Sequence, residues 1–386
     1  MKLVYIVYPF DHPSKIPALK NKMSVHSFIY EGLKSTGVKV KSFYPKIPWF
    51  TFLYRIKKYL ILKLFKKNYF YQREPKILKH IARQTKSHLK TSDYDFAIGF
   101  GSLTFAFIDS SFKFAFWSDA TFENMVNYQK YCKNISDKYL IIYQEIEKNI
   151  LTNASNIFLA SDFATKEAIN FYKVSQDRVH EIPFGGNIIK EPDYDLIKSK
   201  IEKRDNKLLK LIFVGRDWAG KGGDFALDVT KKINELGIKC ELSVIGCTPE
   251  VVGEVEDYVK IHGLLDKNNP EEFAKIEELY TNSHFHFLPT KAESFGHVFC
   301  EANAYGLPNF APITGGIPSV IKNGVNGYLF NLDDSSETVA RLIINTFSDF
   351  DTYRKLCRSS LNEYHTRLNW KSASKKVVEI LELTKE

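Results

Sequence analysis

The sequence has no uninterrupted apolar run of the roughly twenty residues that a membrane-spanning helix needs. Its first residues, MKLVYIVYPFDHP, lack an apolar segment followed by a small-residue cleavage site, and they predict a first β-strand instead. Cysteine is scarce. The five cysteines are scattered along the chain and do not have the spacing of a metal site. These absences disfavour an integral membrane protein and a disulfide-stapled secreted domain, and they predict a protein of the reducing cytoplasm.

Metal-binding and nucleic-acid-binding motifs are also missing. No Asp-x-Asp pair stands at the end of a predicted strand, where it could hold Mg²⁺ or Mn²⁺, so we expect no metal requirement. The net charge of +9 favours anionic partners such as a nucleotide, a phosphate-bearing acceptor, a membrane surface or a nucleic acid. Nucleic acid is disfavoured because no nucleic-acid-binding signature accompanies the basic residues.

Strands alternate with helices along both halves of the chain. KLVYIVYP is followed by MSVHSFIYEGLKSTG in the first half, and LLKLIFVG by DFALDVTKKINELG in the second. This alternation predicts parallel sheets, and 386 residues, 44% of them hydrophobic, suffice for two cores. The sequence therefore predicts an α/β protein with two doubly wound, Rossmann-like domains that face each other across a cleft. We expect an N-terminal domain, a linker, a C-terminal domain and a last helix that packs back on the first domain, at residues 1–188, 189–206, 207–368 and 369–386 respectively.

Two glutamates stand on either side of a short SFG turn in KAESFGHVFCEANAYGLP, residues 291–308. HFHFLPT predicts a buried strand, KAESFG the loop that follows it, and HVFCEANAYG a helix that begins near His297 and ends at Gly306. Glu293 then lies in the loop and Glu301 in the second helical turn. Both border the carboxyl edge of a parallel sheet, which is where such sheets bind ligands.

A glycine-rich loop opens the second half of the chain, in FVGRDWAGKGGDFALDV. The predicted strand ends at Gly215, the loop carries Arg216 and Lys221, and a helix begins near Asp224. Two cations beside a glycine-rich turn and a helix N-terminus can bind a diphosphate. The spacing matches neither GxGxxG nor GxxxxGK[ST], so the loop alone would be interpreted as an ordinary solvated turn. Because it lies at the same predicted sheet edge as the two glutamates, we favour an anion site.

Other chemically suggestive residues have simpler structural interpretations. His284 and His286 share a strand face, but no third ligand is spaced near them, so we predict buried or capped histidines. Cys300, on a packed helix, is interpreted as a small core residue and not as a nucleophile. The two glutamates could be the carboxyl pair of a glycosidase, but a hydrolase would not need the neighbouring anion site.

Residues 55–73, RIKKYLILKLFKKNYFYQR, combine seven cations with many apolar residues. Such a segment is typical of a helix that lies on a membrane surface. On a helical wheel its charges do not segregate cleanly, so peripheral contact with an anionic membrane and an ordinary exposed helix both stay open. We expect a cytoplasmic protein, with the inner face of the membrane as the alternative location.

The motifs together resemble a known family. FVGRDWAGKGG, LSVIGC and LPTKAESFGHVFCEANAYGLPNFAPITGGIPSVIKNGVNGYLF are similar to the donor domain of the retaining, nucleotide-sugar-dependent glycosyltransferases of family 4, which have the two-domain GT-B fold. The resemblance covers about residues 95–380, and the E-x7-E arrangement followed by GLP and GGIP is its most specific part. FWSDATFENMVNYQKYCKNIS and ASDFATKEAINFYKVSQDRVHEIPFGGNI further resemble a bacterial branch of this family.

The resemblance implies a role for each motif at a nucleotide-sugar site. Arg216 and Lys221 would hold the diphosphate of a UDP- or GDP-sugar and stabilise the charge that develops on it. Glu293 would contact hydroxyls of the transferred sugar, and Glu301 would accept hydrogen bonds from both ribose hydroxyls. The other donor-binding residues would line the sugar, phosphate and nucleobase pockets: Gly215, Gly246, His262, Ser294, Phe295, Gly296, His297 and Val298. No cofactor or metal is expected.

The first half departs from the family's pattern at two places. NKMSVHSF, residues 21–28, has no glycine where family members carry a glycine-rich loop. FWSDATF places Ser118 and Asp119 where many members have a histidine. Asp119 could serve catalysis by hydrogen-bonding a sugar or acceptor hydroxyl, or it could cap the following helix, and both interpretations stay open.

The resemblance implies a retaining, metal-independent, hexosyltransferase-type enzyme of bacterial cell-surface polysaccharide biosynthesis. It would move a sugar from a nucleotide diphosphate to a glycan or lipid-linked acceptor. Such enzymes are generally thought to lack a protein nucleophile, the leaving phosphate accepting the acceptor's proton on the same face. The alternative is a GT-B nucleotide-sugar epimerase or a non-catalytic sugar-nucleotide-binding protein. The intact set of two cations and two glutamates argues against a non-catalytic relic.

Overall fold

The structure is a computed structural model that describes residues 1–11, 24–129, 132–248 and 256–385. The chain divides into two units, the first formed by Met1–Pro183 with Trp370–Glu386 and the second by Phe184–Asn369. Each unit contains one parallel sheet of six strands, with helices in the connections. The predicted α/β fold with two parallel sheets is therefore confirmed.

The sheet of the first unit has the spatial order β2-β1-β3-β4-β5-β6. Its strands are β1 (Lys2–Ile6), β2 (Lys39–Phe43), β3 (Phe96–Phe100), β4 (Phe114–Ser118), β5 (Asn156–Leu159) and β6 (Val179–Glu181). Its helices include α1 (Val25–Ser35), α2 (Thr51–Phe65), α3 (Pro75–Thr91), α4 (Phe122–Tyr128), α5 (Asp137–Asn153) and α6 (Asp162–Asn170). β4, FAFWS, is buried along its whole length, as expected for a strand inside a parallel sheet. Residues 21–23 of the glycine-free stretch NKMSVHSF lie outside the described residues.

The second unit contains the other six strands, in the spatial order β12-β11-β10-β7-β8-β9. They are β7 (Leu209–Val214), β8 (Cys240–Ile245), β9 (Val259–Gly263), β10 (Phe285–Phe287), β11 (Asn309–Pro312) and β12 (Gly327–Phe330). The helices are α7 (Tyr194–Lys203), α8 (Gly223–Glu235), α9 (Pro270–Asn282), α10 (His297–Ala304), α11 (Ile317–Val320), α12 (Ser336–Ser348) and α13 (Phe350–Thr366). The chain then enters α14 (Trp370–Leu383), which belongs to the first unit, where Trp370 stacks on Phe28 of α1.

The strand order of the second sheet reverses between β7 and β10. From β7 the chain builds β8 and β9 on one side, and it then returns to the other side of β7 to build β10, β11 and β12. β7 and β10 are parallel neighbours, so their carboxyl ends meet at the same edge of the sheet. A reversal of this kind opens a crevice beyond the carboxyl ends of the two strands, and this is where open α/β sheets bind ligands.

The segment 189–206, which the sequence predicts as a linker, is counted with the second unit. Its helix α7 buries Ile197 and Ile201. Arg204 is also buried, and its guanidinium donates hydrogen bonds to the carbonyl oxygens of Tyr305 and Gly306 at 2.8 and 3.0 Å. These contacts hold the segment against the end of α10. The sequence-based boundaries at 188 and 368 correspond to divisions after 183 and 369 in the structure.

Candidate active site

The loops that carry the sequence motifs leave neighbouring strands of the second sheet at the same edge. β7 pairs in parallel with β8 on one side and with β10 on the other. The backbone N–H of Gly215, after β7, donates to the carbonyl of Ile245 at 2.9 Å, and that of Gly246 to Gly263 at 2.8 Å. The site is therefore built from the carboxyl ends of β7, β8, β9 and β10.

The loop after β7 is folded on itself around Asp217 and Trp218. The backbone N–H of Lys221 donates to the carbonyl of Asp217 at 2.9 Å. The buried Trp218 donates from Nε1 to Asp224 Oδ1 at 2.8 Å, which ties the loop to the first turn of α8. These contacts fix the position of Lys221 immediately before the helix.

Glycines allow the loops at this edge to pack backbone to backbone. Gly222 has φ of +76°, and a Cβ there would lie 2.0 Å from the carbonyl oxygen of Pro289, in the loop after β10. Gly246 has φ of +98°, and a Cβ there would lie 2.6 Å from the carbonyl oxygen of Gly215. Any other residue at these positions would combine a strained backbone with a steric clash.

Lys221 and Glu293 form an ion pair between the loop after β7 and the loop after β10. Lys221 Nζ lies 2.5 Å from Glu293 Oε2, and the two side chains are 27% and 18% exposed. The structure thus brings together a cation and a carboxylate that are 72 positions apart in the sequence. Arg216, also in the loop after β7, has an exposed side chain that forms no hydrogen bond or ion pair with another described residue.

The loop after β10 leads into α10 through Gly296. This residue has φ of +93°, and a Cβ there would lie 2.5 Å from the ring of Phe299. The carbonyl of Glu293 accepts a hydrogen bond from the backbone N–H of Gly316 at 3.0 Å, which fixes the loop from a second side. Ser294 and Phe295 are buried between these two points. The helix begins at His297, as the sequence predicts.

Glu301 lies on α10 and is almost completely buried, with 4% of its surface exposed. Its Oε2 accepts hydrogen bonds from Lys267 Nζ at 2.8 Å and from the Tyr280 hydroxyl at 3.4 Å. Lys267 also donates to the carbonyl of Asn187 at 3.3 Å. Within the described part of the chain, no residue donates to Glu301 Oε1. One carboxylate oxygen is therefore held by the protein, while the other stays available as an acceptor.

Lys267 is a functional candidate that the sequence analysis missed. It stands in the polar loop LLDKNNP after β9, where no motif or periodicity distinguishes it from other surface lysines. Only the fold shows that its ammonium group reaches Glu301, 34 positions further along the chain. No pattern in the sequence could have identified this contact.

Two histidines lie near the predicted donor site. His297 Nδ1 is 2.8 Å from the carbonyl oxygen of Gly185, and its ring stacks on Phe184 at an interplanar angle of 9°. Burial lowers the pKa of His297, which favours the neutral ring, and Nδ1–H donates a hydrogen bond to the carbonyl oxygen of Gly185. His262, on β9, lies 3.4 Å from the hydroxyl of Ser243, and burial lowers its pKa as well. Val298, beside His297, is partly exposed in the first turn of α10.

Asp119 lies in the first unit, in the turn between β4 and α4. The cap of α4 is Thr121, whose hydroxyl accepts from the backbone N–H of Asn124 at 3.3 Å. The Asn124 side chain accepts from the backbone N–H of Thr121 at 2.9 Å in return. The interpretation of Asp119 as the helix cap is therefore wrong, because Thr121 and Asn124 form a reciprocal capping box.

The simpler interpretations of the other polar residues are confirmed. His284 Nε2 lies 2.8 Å from the carbonyl oxygen of Asp205, and His286 Nδ1 lies 2.8 Å from the Asn309 side-chain oxygen. Burial lowers the pKa of both histidines to about 4. Cys300 is completely buried, and burial raises the pKa of its thiol. No group of three or more potential metal ligands occurs within the described ranges.

Comparison with known proteins connects this site to a family. The family model of the glycosyl transferases group 1 matches residues 195–360. The capsular polysaccharide biosynthesis glycosyltransferase CapM of Staphylococcus aureus is 26% identical over 249 residues, which are 60% of this chain and 63% of that protein. The chain spans about half the length of most of the curated relatives that it matches.

Two solved structures with low sequence identity match almost the whole chain. The glycosyltransferase from Rickettsia africae has a TM-score of 0.63 at 15% identity and covers 99% of this chain and 98% of its own. The Anabaena protein Alr3699/HepE, solved in complex with UDP, has a TM-score of 0.63 at 13% identity and covers 99% of this chain and 100% of its own. The match over residues 195–360 makes most of the second unit similar to the glycosyl transferases group 1, and the two parallel six-stranded sheets have the GT-B fold of these solved structures.

Proposed function

We propose that this chain is a glycosyltransferase that moves a sugar from a nucleotide diphosphate sugar to an acceptor hydroxyl, with retention of configuration at the anomeric carbon. The observation that carries the proposal is the 2.5 Å contact between Lys221 and Glu293 at the switch point of the second sheet. The lysine can form an ion pair with the diphosphate, and the glutamate can accept hydrogen bonds from the sugar hydroxyls. The two side chains would therefore bind the groups on either side of the glycosidic bond that breaks. The similarity of residues 195–360 to the glycosyl transferases group 1 supports the same assignment.

Positive charge for the leaving diphosphate comes from three sources. Lys221 is held before the first turn of α8 by the loop contacts around Asp217 and Trp218. Arg216 is exposed in the same loop, where its planar guanidinium can clamp phosphate oxygens. The positive end of the α8 dipole adds to both cations. Negative charge that develops on the diphosphate in the transition state is thereby stabilised without a metal ion.

Glu301 is proposed to bind the ribose of the donor. A carboxylate suits a cis-diol because it can accept one hydrogen bond from each hydroxyl. In this chain Lys267 and Tyr280 donate hydrogen bonds to Oε2 of Glu301. Its Oε1 would then accept a hydrogen bond from a ribose hydroxyl. Lys267 is then a positioning residue, because it orients the carboxylate and balances its charge inside the protein.

The transferred sugar is assigned to the loop between β10 and α10. Glu293 would accept hydrogen bonds from its hydroxyls, and the backbone N–H groups of Phe295, Gly296 and His297 would line the sugar and the phosphate. We name no protein nucleophile, and the leaving phosphate accepts the acceptor's proton on the same face of the sugar. His262, on β9, would border the nucleobase.

The donor is a UDP- or GDP-sugar and the acceptor a glycan or a lipid-linked glycan, as in the synthesis of bacterial cell-surface polysaccharides. The UDP complex of the Anabaena protein and the capsule role of CapM support these classes. Asp119 is retained as a candidate for hydrogen bonding to a sugar or acceptor hydroxyl. The protein is expected in the cytoplasm or at the inner face of the membrane.

The first prediction tests the function as a whole. Purified protein should be stabilised against thermal unfolding by one class of nucleoside diphosphate among UDP, GDP and ADP, since a ligand that binds the native state raises Tm. With the matching sugar donors and a panel of lipid-linked glycans, it should release the nucleoside diphosphate and form a product with the donor's anomeric configuration, as measured by NMR. An altered free nucleotide sugar without transfer would indicate the epimerase, and an inverted product would contradict retention.

The second prediction concerns the charge at the diphosphate. Arg216→Ala or Lys221→Ala should reduce turnover about 10²- to 10³-fold, as for the loss of one oxyanion-stabilising donor. Lys232→Ala is the matched control, because Lys232 is an exposed cation on α8 whose partner is Glu235. Steady-state rates of nucleotide release measure the effect. Turnover of both site variants within about twofold of the control would contradict the assignment.

The third prediction is that transfer needs no divalent metal ion. Arg216, Lys221 and the N-terminus of α8 already supply positive charge to the diphosphate, so EDTA should leave the initial rate largely unchanged. Mn²⁺ and Mg²⁺ added after exhaustive dialysis should raise the rate less than twofold, on the order of assay variation. Activity that EDTA abolishes and Mn²⁺ restores would overturn this part of the proposal.

The fourth prediction separates the two glutamates by the part of the donor that each contacts. Glu301→Gln should weaken binding of the free nucleoside diphosphate by about 1.5–3 kcal/mol, because an amide replaces one acceptor oxygen with a donor. Glu293→Gln should bind the free nucleotide almost normally but lose turnover with the complete donor. Calorimetry with the nucleotide and a transfer assay with the sugar donor measure both effects on the same variants. Equal loss of nucleotide affinity in the two variants, or no loss in either, would contradict this assignment.

A further inference from the structure

A cavity of about 420 Å³ lies at the amino edge of the second sheet, within the second unit. Its lining comes from the last turn of α7, the chain that leads from α7 into β7, the end of α9 and the residue before β10. A volume of this size is typical of small-molecule sites.

This amino-edge cavity is separate from the candidate active site. Lys210, in its lining, is the second residue of β7, whereas the loop with Arg216 and Lys221 leaves the carboxyl end of the same strand. The chain from Lys210 to Gly215 extends over roughly 16 Å as a strand. A small ligand in the cavity would therefore leave the diphosphate site open.

Lysines without partners dominate the lining of the cavity. Four of them form no ion pair, and no hydrogen bond through the ammonium group, with another residue in the described ranges: Lys200, Lys203, Lys207 and Lys210. The first three are exposed and Lys210 is partly exposed. Asp205 is the one carboxylate among the described lining residues, and it accepts from the backbone N–H of Lys207 at 2.9 Å.

Arg204 adds a buried positive charge to this lining, because it is 8% exposed. Its Nε has no hydrogen-bond partner within the part of the chain that the structure describes, and a buried donor of this kind favours an acceptor nearby. Burial lowers the pKa of His284, also in the lining, to about 4, and the charges of Arg204 and Lys210 lower it further. The cavity is therefore a region of positive potential around a neutral histidine.

Compensation of helix dipoles explains only part of this charge. Helices α7 and α9 both end at the cavity, with Lys203 and Asn282 as their last residues. The carboxyl end of a helix carries about half a negative charge, so the two ends and Asp205 together offset about two of the five positive charges. An excess of about three positive charges remains for a ligand to neutralise.

The lining favours phosphate groups over an apolar or aromatic ligand. Leu208 is its one apolar residue among the described residues, and Thr281 and Asn282 add polar groups. His284, the one aromatic ring of this lining, is 4% exposed, so a nucleobase cannot stack on it. Lysines bind phosphate groups as point charges, and the excess charge requires a ligand with several negative charges.

We propose that the amino-edge cavity binds a soluble oligophosphate, a chain of two or more phosphate groups. The anion bridges α7, the start of β7 and the end of α9, and it thereby stabilises the second unit. The phosphate chain is the group that is recognised, whether the chain is inorganic or part of an organic molecule. This site goes beyond the proposed transfer reaction, and its test uses neither a sugar donor nor an acceptor.

Inorganic tripolyphosphate is the probe, and the donor site is removed from the measurement. The parent for calorimetry is the full chain with Arg216→Ala and Lys221→Ala, because these changes take the cations away from the diphosphate site. The parent should bind tripolyphosphate, and its Tm should rise when the probe is added. Binding that is lost in this parent would assign the probe to the donor site and overturn the proposal.

A triple variant of the parent tests the cavity itself. Lys200→Gln with Lys203→Gln and Lys207→Gln should weaken tripolyphosphate binding at least about tenfold, because three ion pairs with the ligand are lost. The matched control replaces three exposed lysines of the second unit outside the lining by glutamine, Lys190, Lys231 and Lys275, and should bind as the parent does. Circular dichroism verifies that each variant is folded. Equal affinities of the cavity variant and its control would overturn the site.

Hydrogen exchange on the unchanged protein gives a second measurement that does not depend on the donor-site variant. Tripolyphosphate should slow amide exchange in the last turn of α7, because the anion holds this turn against the start of β7. The protection should be absent when Lys200, Lys203 and Lys207 are replaced. Unchanged exchange in α7 at a saturating probe concentration would contradict the bridging role.

Other anions decide what the cavity recognises. Tripolyphosphate affinity should fall between 0.05 and 0.5 M salt, on the order of the screening expected for surface charges. In the parent variant, ATP, GTP and UTP should bind no more tightly than tripolyphosphate, and citrate should bind more weakly. One nucleotide that binds at least about tenfold more tightly than tripolyphosphate would overturn recognition of the phosphate chain alone. Citrate binding of equal affinity would overturn the preference for phosphate.

Discussion

The ion pair between Lys221 and Glu293 depends on the close approach of the loops after β7 and β10. That approach requires Gly222, because a side chain there would collide with the carbonyl oxygen of Pro289. The reversal of strand order places the two loops side by side, and the glycine lets them touch. The same edge also holds Gly246 against Gly215, so the positions of the loops after β7, β8 and β10 depend on backbone contacts that only glycine permits.

Much of this arrangement could be predicted from the sequence. The alternation of buried strands with amphipathic helices indicated parallel sheets, and Gly296 and Gly306 indicated where α10 begins and ends. The motif residues of the second unit were predicted at one sheet edge because parallel strands point their carboxyl ends the same way. Such local patterns are visible in a single sequence because each depends on residues that are close together in the chain.

Contacts between distant residues could not be predicted in the same way. Lys267 stands in a polar loop, and nothing near it indicates that its ammonium group reaches Glu301. The segment 189–206, which the sequence predicts as a linker, is polar. In the structure its Arg204 donates hydrogen bonds to the carbonyl oxygens of Tyr305 and Gly306, and nothing in the sequence of the segment indicates this contact. On a helical wheel the charges of α2 do not segregate to one face. Only the packing shows which narrow side of the helix faces the rest of the first unit.

The two lysine–glutamate pairs differ in burial, and under the proposed function this difference decides which pair persists when a donor binds. Glu301 is 5% exposed at its side chain, so separating it from Lys267 would leave a buried carboxylate uncompensated, at a cost of roughly 3–5 kcal/mol. Glu293 and Lys221 are 18% and 27% exposed, so water can compensate each of them during an exchange of partners. We therefore infer that Lys267 stays on Glu301 throughout the reaction. In the proposed reaction Lys221 would turn from Glu293 to the diphosphate, so that the donor replaces this ion pair with contacts of its own to each of the two side chains.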